Sequence, residues 1–151
     1  MIRILSISFG IFSLLLAQPA AAQPQCGTAP EMMLVLDRSG SMTGLTGGKS
    51  KWSHATAAVK NLTTKYATQI RFALMVFPGA GDCGPGKVDV AMGLNNAVAV
   101  SNLLSGTFPT GMTPLGHSLK AAHAYLTKLP GTKVSRAVLL ITDGSETCGG
   151  S

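Results

Sequence analysis

Two stretches of this 151-residue chain constrain its fold more than anything else in it. Met32-Met33-Leu34-Val35-Leu36 and Arg136-Ala137-Val138-Leu139-Leu140-Ile141-Thr142 are apolar almost without a break, and each runs into an aspartate, Asp37 and Asp143. Continuous rather than alternating apolarity marks strands covered on both faces, the condition of a parallel sheet packed between helices. A third such run, IRFALMVF over 70–77, stops at Pro78-Gly79. The segment KVDVAM, 87–92, alternates instead and predicts a short edge strand. Between these runs lie helical patterns. Trp52, Ala55, Val59, Leu62 and Tyr66 recur at spacings of three and four, with Ser50 as the expected N-cap. A second helix is predicted over 95–104. A third begins near Pro114, carries Leu115, Leu119, Ala122, Leu126 and Leu129, and is stopped by Pro130-Gly131. The Gly/Ser/Thr-rich residues 38–50 read as a loop. Strands alternating with amphipathic helices give an α/β fold with a mostly parallel sheet and flanking helices. In such sheets ligands sit beyond the carboxyl ends of the strands, the edge where Asp37 and Asp143 fall.

The first 22 residues read as a secretory signal peptide. Arg3 supplies the positive charge, 4–17 the apolar stretch, and Ala20-Ala21-Ala22 the small residues of a cleavage site. As an uncleaved anchor the apolar stretch is short for a membrane span. Residues 23–30 form a linker, and the domain runs over 31–151. The mature protein is therefore expected to be secreted or periplasmic, with no stable membrane span after cleavage. Twelve Lys and Arg against six Asp and Glu give a net charge of +6. The basic residues are scattered, from Lys49, Lys51 and Lys60 to Lys133 and Arg136, without interleaved aromatics, so no nucleic-acid surface is expected.

Three clusters carry the candidate chemistry. Asp37-Arg38-Ser39-Gly40-Ser41 sets a carboxylate and two hydroxyls at alternate positions past a strand end. Thr113, in Gly111-Met112-Thr113-Pro114, places a hydroxyl at a helix start, and Asp143 follows the last strand. Each alone reads as a turn or a cap. Together they are oxygen donors from loops at one edge, the ligand set that hard divalent cations such as Mg²⁺ take. No Cys/His cluster offers a zinc site. Gly79-Ala80-Gly81-Asp82-Cys83-Gly84 fits a dinucleotide-loop pattern but precedes a strand rather than a helix. His54, His117 and His123 lie on predicted helices with no nucleophile relay and read as surface positions.

At these residues the sequence resembles the von Willebrand factor type A domain family. DRSGSM matches the family's D-x-S-x-S motif, Thr113 its isolated threonine, and the aspartate of ITDG its second acid. The resemblance runs from about Glu31 to the chain end and implies a Rossmann-like sheet. It implies a metal-ion-dependent adhesion site in which Ser39, Ser41 and Thr113 bind Mg²⁺ (or Mn²⁺ or Ca²⁺) directly and Asp37 and Asp143 bind mainly through water. The sixth position is left for a carboxylate of a protein partner. Neutral hydroxyls and indirect carboxylates leave such an ion electron-poor and receptive to an anion. Family domains usually continue for further strands, so the C-terminal strands look missing and 136–142 is expected to form an open edge.

The resulting expectation is a secreted, cation-dependent, adhesion-type binding module that is not an enzyme. A metal-assisted hydrolase and a truncated structural domain needing a partner chain are the other open readings. In the family's strand order the second and fourth strands flank the first, which implies a Cys83–Cys148 bridge between loops at one edge. The alternatives are that all three cysteines are free or that Cys26 takes one partner.

Overall fold

The computed structural model describes residues 28–131 and 133–149. The predicted signal peptide, Cys26 and most of the predicted linker lie outside the described residues. The central sheet has four strands in the order β5-β4-β1-β6. They are β1 (Glu31–Asp37), β4 (Arg71–Phe77), β5 (Lys87–Gly93) and β6 (Arg136–Ile141). β1 pairs in parallel with β4, from Glu31–Arg71 to Asp37–Phe77, and with β6, from Glu31–Arg136 to Leu36–Ile141. β5 is antiparallel to β4 and lies at the edge, as its alternating sequence predicts.

The continuous apolarity of β1 has its expected cause. Leu34 and Leu36 face one layer, with Trp52, Val59, Val100 and Leu104 from α1 (Lys51–Lys65) and α2 (Ala97–Ser105). Met33 and Val35 face the other, with Ala122 and Leu126 of α3 (Leu115–Lys128). Both faces of β1 and β4 are closed, and Met33 through Leu36 have no exposed surface. Burying a side chain of that size contributes roughly 1.5–3 kcal/mol, which fixes the register that sets Asp37 at the sheet edge. At the opposite end Glu31 takes ion pairs from Arg71 (3.3 Å) and Arg136 (2.8 Å), tying the three parallel strands together.

Two features differ from the sequence reading. Residues 38–50 are not a simple loop: they hold a 3-10 turn (Gly40–Thr43) and a small hairpin of β2 (Leu45–Thr46) and β3 (Lys49–Ser50). Short Gly/Ser/Thr segments carry no hydrophobic period by which such turns announce themselves. The third helix begins at Leu115, one residue after Pro114, which occupies the N-cap position. Ser50 caps α1 as expected, accepting a hydrogen bond from the Ser53 amide at 3.1 Å. β6 is the other sheet edge. Its sequence suits burial on both faces, yet Val138 is 42% and Leu139 38% exposed, because no described element covers them.

Candidate functional site

The strand register brings the loop after β1 beside the loop after β6, and a chain of hydrogen bonds, one of them from the Ser39 backbone amide, runs between them. Asp37 is fully buried. Its Oδ1 accepts from the Ser39 amide at 2.7 Å and its Oδ2 from the Thr142 hydroxyl at 2.6 Å. The Ser39 and Ser41 hydroxyls lie 3.0 Å apart, and Ser41 donates to Asp143 Oδ1 at 2.7 Å. Lys51, the first residue of α1, reaches Asp143 Oδ2 at 2.6 Å. Burial pushes the Asp143 carboxyl up, but the hydrogen bonds from Lys51 and Ser41 and the lysine's charge outweigh it and hold the group below its ordinary 3.8.

Thr113, 5% exposed, arrives from the loop before α3. That loop is fixed to the first by the Gly40 amide, which donates to the Gly111 carbonyl at 3.0 Å, and by the Thr110 amide, which donates to Arg38 at 2.6 Å. A strap after β6 clasps it from the other side. The Thr113 amide donates to the Thr147 hydroxyl at 2.7 Å and its carbonyl accepts from the Thr147 amide at 3.1 Å. Glu146 accepts from the Gly116 amide in the first turn of α3 at 2.7 Å. A Cys83–Cys148 disulfide, with Cα atoms 5.6 Å apart, joins this strap to the glycine-rich loop after β4, the pairing that the resemblance implied. The glycines of that loop serve its tight turn: a Cβ at Gly84 would collide with the Ala80 carbonyl.

The structure thus joins Asp37, Ser39, Ser41 and Asp143 into one hydrogen-bonded chain. Thr113 is carried on a loop bonded to it, its hydroxyl outside the chain. The donors are hydroxyls and carboxylates, and among the described residues no group of three or more His, Cys, Asp or Glu side chains forms a metal cluster. A buried carboxylate met by one amide and one hydroxyl, both neutral, is costly unless positive charge comes near, so the donor set fits a hard cation. Sequence reasoning missed four contributors. Thr142 stood only as the last residue of an apolar run, Lys51 as one of the scattered basic residues, and Thr147 carried no signal. Arg38 bonds the Pro78, Gly79 and Phe108 carbonyls at 2.9, 3.2 and 3.3 Å, stapling the loops after β1 and β4. His54, His117 and His123 are exposed, as expected.

Comparison with known proteins agrees with this architecture. The von Willebrand factor type A domain model matches residues 32–146. Two uncharacterized Bacillus subtilis (strain 168) proteins, YwmC and YwmD, are each 30% identical, over 90% and 93% of this chain. The chain spans 65% and 66% of their lengths, just under two thirds. Among solved structures, the vWF domain of the type V pili tip protein Mfa5 from Porphyromonas gingivalis aligns at TM-score 0.64 and 19% identity, covering 79% of this chain and 39% of that one. The PilB minor pilin from Streptococcus sanguinis aligns at 0.60 and 19%, over 81% and 31%. The SpRpn10 VWA domain aligns at 0.61 and 12%, over 79% and 62%. At these identities the structures share the fold. With a family model covering most of the sequence, the chain belongs to the von Willebrand factor type A domain family.

Proposed function

We propose that this chain is an extracytoplasmic, divalent-cation-dependent protein-binding module that catalyses no reaction. The observation that carries the reading is the convergence of Asp37, Ser39, Ser41 and Asp143 in one hydrogen-bonded chain, with Thr113 delivered beside it on a bonded loop. In this reading Ser39, Ser41 and Thr113 hold Mg²⁺, or Mn²⁺ or Ca²⁺, through their hydroxyls, and the two aspartates act mainly through water. The cation then supplies a Lewis-acidic position for a carboxylate of a partner protein.

The partner class is supported by the shared fold with a pilus tip protein and a minor pilin. A location outside the cytoplasm is supported by the leader-like residues 1–22 and by the disulfide, since such bonds persist in oxidising compartments. Among the described residues no helix is long and apolar enough to cross a membrane. A binding role is favoured over hydrolysis because Ser39 and Ser41 are engaged with each other and with Asp143, and His54 Nε2 pairs with the Thr46 carbonyl at 2.9 Å rather than with a serine hydroxyl.

The test is retention of a partner from native extract on the immobilised chain, with Mg²⁺ or with chelator, alongside Asp37→Asn. Retention that needs both Mg²⁺ and Asp37 is expected. Retention indifferent to chelator would overturn the cation-dependent reading, and turnover of an ester or phosphate substrate would overturn the non-enzymatic one.

A further inference from the structure

We propose that Lys51 is a built-in counter-charge of the site, which weakens its hold on the cation and makes the loaded site net positive toward an incoming carboxylate. This rests on the cation-site reading above and specifies how that site is tuned.

Lys51 opens α1, a position where helix electrostatics favour an acid; the first turn of α1 contains none. A lysine there, its ammonium reaching a carboxylate 92 residues away in sequence, is a local choice against propensity that needs another reason. The side chain is 40% exposed, yet its tip is held on Asp143 and the backbone of Lys51 is fixed as well. Its backbone amide donates to the Gly44 carbonyl at 2.8 Å, and a Cβ added at Gly44 would lie 3.5 Å from Lys51 Cε and 3.1 Å from the Ser41 carbonyl oxygen. The ammonium takes Oδ2 of Asp143 while Ser41 takes Oδ1, so both oxygens of this acid are engaged. That arrangement suits a carboxylate acting at one remove from a cation rather than gripping it.

The charges follow. Asp37 and Asp143 alone would neutralise a dication, and the loaded site would present no net charge to a partner. With Lys51 ion-paired to Asp143 at 2.6 Å, the loaded site carries one positive charge. A fixed cation beside a dication lowers the affinity for the metal and raises the affinity for an incoming anion. The two effects have opposite signs, and a lysine serving only to prop the loop would not separate them.

The experiment uses the full chain with Lys51→Met and Lys51→Arg, each checked for native circular dichroism. Mg²⁺ is titrated calorimetrically, and glutarate is then titrated at saturating Mg²⁺. Lys51→Met is expected to bind Mg²⁺ about tenfold more tightly and glutarate more weakly, while Lys51→Arg stays within about twofold of the parent on both. Unchanged or weaker Mg²⁺ binding in a folded Lys51→Met overturns the proposal, because a structural prop gives that sign. If Lys51→Met does not fold, Lys51→Gln, which keeps a hydrogen-bond donor, is read by the same criteria, and failure of both to fold overturns the proposal by making the residue structural. If the parent chain and Asp37→Asn alike bind no Mg²⁺, the cation site itself fails. Parent binding with no response to Lys51 removes only the counter-charge.

Discussion

Replacing both Cys83 and Cys148 by serine should destabilise the protein by about 4 kcal/mol. The bridge spans 65 residues, and closing a loop of that length in the unfolded chain removes on the order of 14 cal/mol/K of entropy, about 4.3 kcal/mol at 25 °C. For a domain of this size each kcal/mol moves the midpoint by about 4 °C, so thermal unfolding should fall by roughly 15 °C. A second consequence is local. The strap that carries Cys148 holds Thr113 through Thr147 at 2.7 and 3.1 Å and the start of α3 through Glu146. Loosening it should weaken Mg²⁺ binding severalfold at temperatures where both proteins are folded. Urea unfolding followed by circular dichroism, in chelator, measures the first effect, and calorimetry the second. A loss below about 1 kcal/mol would refute the loop-closure argument. Full destabilisation with unchanged cation affinity would refute the bracing of Thr113.

Other outcomes follow from the same geometry. Asp37→Asn keeps an acceptor for the Ser39 amide and can donate its amide nitrogen to the Thr142 hydroxyl in a reversed hydrogen bond, so it should fold in chelator yet lose the Mg²⁺-induced rise in melting temperature. Burial raises the Asp89 carboxyl above 3.8, against the Val76 amide and the charges of Lys87 and Arg38. Its folded form holds the proton more tightly, so the protein should lose stability as pH rises through that folded value, and Asp89→Asn should remove this dependence in pH-resolved urea titrations. Asp143 has the opposite sign. Its depressed carboxyl contributes stability above 3.8 that is lost as pH falls through the lower folded value, and Asp143→Asn should flatten that acid limb. The exposed Val138 and Leu139 on the β6 edge should drive self-association of this chain, and Val138→Lys should reduce it in light scattering.

Much of this was legible because burial on two faces leaves a plain mark. The unbroken runs ending at Asp37 and Asp143 located two strands and the sheet edge where the acids meet, and the alternation in 87–92 marked β5 as an edge. The D-R-S-G-S spacing located the hydroxyls. What stayed hidden rests on contacts between residues far apart in sequence. Thr142 meets Asp37 across 105 positions and Lys51 meets Asp143 across 92, and neither residue type is unusual where it stands. The clasp of Thr113 by Thr147 likewise has no local pattern, and the turn and hairpin within 40–50 are too short to show a period.

The central claim is that loops from β1, β6 and the start of α3 together hold one divalent cation. Anomalous diffraction from crystals grown with Mn²⁺ tests it most directly. The account predicts a single strong peak at roughly 2.0–2.3 Å from the hydroxyl oxygens of Ser39, Ser41 and Thr113, with Asp37 and Asp143 one water further out. A peak elsewhere, or none at millimolar Mn²⁺, would contradict it.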